Sequence, residues 1–117
     1  MPETSWYPFD NGVTLGQPGS EGGTIVRDDE YPLGARITLE RAAVTAPFAI
    51  TCGIYGCMMH TRFFESETEA STEYERMKEA LSAILERASE TADGNCDKDA
   101  RRKEFFDGME AFVRNFP

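Results

Sequence analysis

The sequence predicts an α+β domain: an antiparallel sheet of about four to five strands, covered on one face by two C-terminal helices. Three observations carry that expectation. Residues 1–34 hold six of the ten glycines and four of the six prolines, a composition that interrupts helices and favours turns and short strands. Between Ala35 and Phe64 apolar and polar residues alternate with period two, as on half-buried strands. From Ser66 onward the apolar spacing lengthens to three and four residues, as on helices that bury one stripe. Strands gathered ahead of helices, instead of alternating with them, give an antiparallel sheet dressed on one side. The 117 residues make a single domain, with a strand and turn region over 1–65 and a two-helix region over 66–117.

Taken in order, Asp10-Asn11-Gly12 lies between the aromatic run Trp6-Tyr7-Pro8-Phe9 and Val13-Thr14-Leu15. It predicts a tight hairpin, because Asn-Gly accepts the positive φ that the central positions require. The aromatic run is expected to close one end of the core. Gly19-Ser20-Glu21-Gly22-Gly23 reads as a flexible loop whose backbone N–H groups can cradle an anion, although it matches neither the phosphate-loop pattern nor the dinucleotide fingerprint. Thr24–Arg27 is the next strand and Tyr31-Pro32-Leu33-Gly34 a turn. Ile37 and Leu39 then point one way while Arg36, Thr38 and Glu40 point the other. Phe48, Ile50, Cys52 and Ile54 form a second apolar row, opposed by Ala49, Thr51 and Gly53. Gly53-Ile54-Tyr55-Gly56 turns the chain into a strand over Cys57–Phe64, unless one long strand is bulged at glycine. In that strand Cys57, Met59, Thr61 and Phe63 are the expected core row, with Met58, His60, Arg62 and Phe64 opposite.

Ser66 and Glu69 stand at capping-box spacing, and acidic residues crowd the first turns, where they complement the helix dipole. Tyr74, Met77, Leu81, Ile84, Leu85 and Ala88 make one apolar stripe, with Glu73, Glu75, Arg76, Lys78, Glu79, Glu86 and Arg87 as the solvent side. Ala92-Asp93-Gly94-Asn95 ends this helix. A second, begun near Asp97, carries Phe105, Phe106, Met109, Phe112, Val113 and Phe116. The two helices are expected to cover Ile37, Leu39, Phe48, Ile50 and Met59.

Composition narrows the function. A net charge of −9 argues against nucleic-acid binding, which needs clustered Lys and Arg to neutralise phosphate. The length excludes an eight-stranded α/β barrel or a full dinucleotide-binding domain. The first residues carry no basic or apolar leader, so the expected location is cytoplasmic. Three cysteines make no disulfide framework. The uncharged run from Ala42 to Met59 reaches the length of a membrane span, yet Pro47, Gly53, Gly56 and the alternation assign it to strands, so no membrane role is expected.

The chemistry-bearing residues are few. Cys52, Cys57, His60 and Cys96 are zinc-ligand types but lack a second close pair, so no metal or other cofactor is expected and the cysteines read as structural. Cys57 with His60 is the only local thiol–base pair, and no nucleophile motif surrounds it. Asp28, Asp29 or Glu30 with Glu40 forms a conceivable acid–base pair, although three acids beside a turn read more simply as solvated. The first 77 residues hold no lysine. Arg36 and Arg62 are therefore expected either to pair with Glu40 across strands or to hold a small acidic ligand.

Arg36, Thr38, Glu40, Thr51, Met58, His60, Arg62 and Phe64 are expected together on the sheet face away from the helices. Their mix of Met, aromatic and Arg resembles the cores of protein interfaces. The expected function is that of a small cytosolic, non-enzymatic binding or regulatory protein acting through this face, as a homodimer or with a protein partner. The alternatives are a small-ligand enzyme using His60 and Arg62, and an immunity-like acidic neutraliser of a basic partner, whose encounter the −9 charge would speed.

Overall fold

The computed structural model describes residues 6–91 and 98–117. In it a five-stranded antiparallel sheet precedes two helices, an α+β arrangement: β1 (Tyr7–Pro8), β2 (Thr24–Tyr31), β3 (Ala35–Arg41), β4 (Phe48–Ile54), β5 (Met58–Phe64), α1 (Glu67–Thr91) and α2 (Lys98–Asn115). The strands lie in sequence order, so each pairs with its chain neighbour.

The turn before β3 forms as expected. The Gly34 N–H donates to the Tyr31 carbonyl at 2.9 Å, and Gly34 takes φ 119°, where a Cβ is strained. β2 is twice the expected length, however, because the acids at 28–30 continue it. Back from this turn the register sets Glu30 opposite Arg36, Asp28 opposite Thr38 and Asp29 opposite Ile37. The hairpin expected at Asp10-Asn11-Gly12 does not form. All three residues do adopt positive φ, but they make a tight left-handed turn, and β1 pairs with the far end of β2 through Tyr7–Glu30 and Pro8–Asp29.

β3 and β4 keep the expected parity. Ile37, Leu39, Ile50, Cys52 and Ile54 are buried under α1, with Ala70, Tyr74, Met77, Leu81 and Leu85 facing them from the helix. The Ser66 hydroxyl accepts from the Glu69 N–H at 3.1 Å, so the helix cap is real. In α2, Met109 and Phe112 are buried, as is Phe116 just past its end, whereas Phe106 and Val113 are exposed. Trp6 packs at the core boundary against Tyr31. The expected helix end at 92–95 lies outside the described residues.

β5 reverses the expected parity. Its register sets Met58 opposite Ile54, His60 opposite Cys52, Arg62 opposite Ile50 and Phe64 opposite Phe48. This row therefore lies on the helix side, and Met59, Thr61 and Phe63 lie on the open side, with Met59 80% exposed. The cause is the hairpin loop Tyr55–Cys57. A turn bond from the Cys57 N–H to the Ile54 carbonyl at 2.9 Å, followed through Gly56 at φ 75°, makes it a three-residue loop.

Candidate functional site

Two of the open face's strands are roofed by the N-terminal segment, residues 9–23, and buried carboxylates hold that roof down. Asp28 is 3% exposed. It accepts a bidentate pair from Arg36, Nε to Oδ1 at 2.9 Å and Nη2 to Oδ2 at 2.6 Å, together with the hydroxyls of Thr38 at 3.1 Å and Thr14 at 2.7 Å. Four donors on one carboxylate satisfy a charge that burial alone would expel. The Arg36 guanidinium in turn lies 3.6 Å from the Phe9 ring centroid, which places Phe9 on the open face and not in the core.

Glu40, completely buried, is the second fastening. Its carboxylate accepts from the Gly23 N–H at 3.0 Å and the Glu21 N–H at 3.2 Å. The glycine-rich loop is thus an anion cradle, as its sequence suggests, and the anion is the chain's own side chain. Gly19 lets the loop close: a Cβ there would stand 2.1 Å from the Glu40 carboxyl carbon. At the end of β2 Glu30 accepts the hydroxyls of Tyr7 at 2.8 Å and Tyr55 at 2.5 Å. Burial, reinforced by the Glu30 carboxylate, pushes the Tyr55 phenol up to about 12. The acids of β2 are therefore committed rather than solvated.

Beside the roof, β4 and the β4–β5 hairpin leave a groove of about 420 Å³, within the size range of small-molecule sites. Arg36, Thr38 and Thr51 line it together with Pro18 and Ser20 from the roof and Tyr55 and Met59 from the hairpin. Next to it Phe63 is exposed, and the Thr51 and Thr61 hydroxyls stand 3.4 Å apart.

The eight residues expected on one face are thus divided. Arg36, Thr38, Glu40 and Thr51 belong to the open face, with Glu40 sealed beneath the loop. Met58, His60, Arg62 and Phe64 belong to the helix side. His60 Nε2 lies 2.5 Å from the Phe116 carbonyl and, as donor to it, fastens β5 to the end of α2. Arg62 donates Nε to the Pro117 main-chain oxygen at 3.0 Å and Nη1 to Glu73 at 2.8 Å. Burial raises the Glu73 carboxyl, but its bonds to Arg62 and Arg76 outweigh that and hold it below its ordinary value. Neither arginine pairs with Glu40. Arg36 serves Asp28 and Arg62 serves Glu73, so each guanidinium is already matched by an internal acid.

On the helix side Tyr74 is also fully engaged. Its hydroxyl is 2.7 Å from Asp29 Oδ2 and 3.1 Å from the Ile37 carbonyl. Burial and then Asp29 push the phenol far above its usual value. Arg27 lies over its ring at 4.1 Å and pairs with Glu75. Glu75 stays on the solvent side as expected, at 58% exposure, whereas Glu73, 14% exposed, clamps the helix to the sheet through Arg62.

The cysteines separate. Cys52 is buried, and burial pushes its thiol up to about 12, while Cys57 is exposed on the hairpin rather than in the core. Cys96 lies outside the described residues. Among the described residues no three His, Cys, Asp or Glu gather in a metal-holding arrangement, and no helix is long and apolar enough to cross a membrane. Because the thiolate is the reactive form, iodoacetamide at neutral pH is expected to alkylate Cys57 and spare Cys52 in the folded protein. Peptide mapping checks this, and equal labelling of the two would contradict the burial of Cys52.

Phe9, Tyr55 and an outward Met59 escaped the sequence reading, and Asp28 and Glu30 entered it only as part of an acid–base pair with Glu40, whereas they serve Arg36 and Tyr55. A signal for these two acids was present: counting β2 back from the Pro32-Leu33-Gly34 turn sets Glu30 and Asp28 in phase with Arg36 and Thr38. Comparison with protein-family models, with curated proteins and with solved structures finds no match.

Proposed function

We propose that the chain is a non-enzymatic binding protein whose working surface is the unroofed part of the open sheet face. The groove along Thr51 is the observation that carries this reading. Hydroxyls form part of its floor, Met59 and Tyr55 give it an apolar flank, and its nearby ionisable groups are spent on one another. A general acid or base has to be free to exchange a proton with a substrate, and His60 and Arg62, the pair an enzyme would call on, lie on the other side of the sheet. The charge around the groove also disfavours an acidic ligand: Arg36 is neutralised by Asp28, and Glu30 and Glu40 stand close by. Neutral or cationic amphipathic groups fit better.

Benzamidine, benzamide and benzoate test this with one shape and three charges. In amide NMR titrations the first two are expected to shift Thr51, Gly53 and Met59, with benzoate weakest, and Thr51→Tyr to abolish the shifts by filling the groove. Shifts confined to other surfaces, or a preference for benzoate, would overturn the reading.

A further inference from the structure

We propose that β5 is a self-pairing edge, through which two copies of this chain join antiparallel about Thr61 into one continuous ten-stranded sheet. The inference goes beyond the groove reading and needs no groove ligand. It begins from the two edges of the sheet. An edge strand exposes a row of unpaired N–H and C=O groups, and proteins that remain single blunt such edges with short strands, proline, lysine or bulges. The β1 edge is blunted in this way, being two residues long and containing Pro8. The β5 edge is not. It runs seven residues, Met58–Phe64, without proline, lysine or glycine, and its register with β4 is unbroken by any bulge. Among the described residues no strand lies beyond it.

The occupant follows from the strand's own sequence. Antiparallel pairing centred on Thr61 overlaps all seven residues and sets like against like. Thr61 meets the partner's Thr61, Met59 meets the partner's Phe63, and Met58 meets the partner's Phe64. Thioether against aromatic ring is a favourable cross-strand pair. On the open face this covers the two side chains that the monomer leaves out, Met59 at 80% and Phe63 at 47% exposure. On the helix side His60 meets the partner's Arg62, whose charge Glu73 already balances. The contact is isologous, so it closes at two copies and leaves only the blunt β1 edges outermost. In a chain of net charge −9, β5 contains no acid, so self-repulsion is least where the copies would touch.

Sedimentation equilibrium of the full chain over a wide concentration range tests the proposal. The native protein is expected to approach twice the 13.1 kDa chain mass, and added salt to tighten it by screening the acidic surfaces. Met59→Lys and Phe63→Lys are each expected to weaken self-association by roughly tenfold or more, equivalent to about 1.4 kcal/mol, with unchanged helical circular dichroism. Val44→Lys, as exposed as Met59 but held beside the glycine-rich loop by its N–H bond to the Glu21 carbonyl, serves as control and should leave the dimer intact. Amide exchange of native β5 that slows as protein concentration rises gives a readout independent of any variant. A monomer at every concentration overturns the proposal, as does a dimer that the β5 lysines leave intact. Benzamidine binding without a dimer would remove this inference and leave the groove reading standing.

Discussion

Replacing Arg36 by alanine is expected to cost about 2–4 kcal/mol of stability, somewhat under the range for removing one partner from a fully buried ion pair because the guanidinium is itself partly solvated. The loss should exceed that of Asp28→Asn, and the asymmetry comes from burial. The Asp28 side chain has no exposed area, whereas Arg36 is about one third exposed. Without Arg36 a buried carboxylate retains only the Thr14 and Thr38 hydroxyls. Without the Asp28 charge, the guanidinium can turn to solvent and keeps its stacking on Phe9. Urea unfolding of the two single variants and the double variant measures this, because residues in one network couple in a double-mutant cycle. A loss below about 1 kcal/mol for Arg36→Ala, the size typical of an exposed pair, would mean that Asp28 is not held as described. Arg36 would then be free for a ligand.

Gly19→Ala has the second large expected effect, about 2–3 kcal/mol, because its methyl group would occupy the place of the Glu40 carboxyl. Glu40 cannot yield cheaply. It is fully buried and fixed by the Glu21 and Gly23 amides, and an amide that loses its buried acceptor costs about 1–3 kcal/mol. Glu40→Ala should therefore lose a similar amount, and Gly19→Ala should add little in that background, since the obstacle has gone. Amide exchange locates the damage: residues 9–23 should open in both variants while β4 and α1 stay protected. Two losses that simply add would show that Gly19 acts through something other than Glu40.

These effects explain why the face away from the helices reads so differently in sequence and in structure. Arg36, Thr38 and Glu40 alternate with Ile37 and Leu39, and that alternation correctly puts them on the side opposite the helices. Alternation says nothing about a roof. Thr38 and Glu40 look like solvent-facing polar residues until residues 9–23 fold back over them, and that return depends on contacts more than ten residues apart in the chain, between Thr14 and Asp28 and between Glu21 and Glu40. The loop's capacity to hold an anion was legible from its glycines. Which anion it holds was not, because the acceptor arrives from another strand.

β5 makes the same point about parity. Both of its rows are apolar enough to face a core, Met59 with Phe63 and Met58 with Phe64, so hydropathy cannot choose between them. The choice is made by loop length, since a shift of one residue carries every side chain to the other face. Beginning the strand from the three-residue turn at Tyr55–Cys57 sends His60 and Arg62 to the helix side, where they fasten the end of α2.

The sequence by itself determined the α+β class, the inward rows of β3 and β4, the capped start of α1 and the apolar stripe of Tyr74, Met77, Leu81 and Leu85. Each depends on a local period or a short-range signal, and each is stabilised by burial that its own spacing already implies. Tertiary structure alone decided which row of β5 faces the helices, which acids are buried and by what they are matched, and that a groove remains beside the roof. Those outcomes come from hydrogen bonds and ion pairs between distant segments, whose geometry exists only once the sheet has closed.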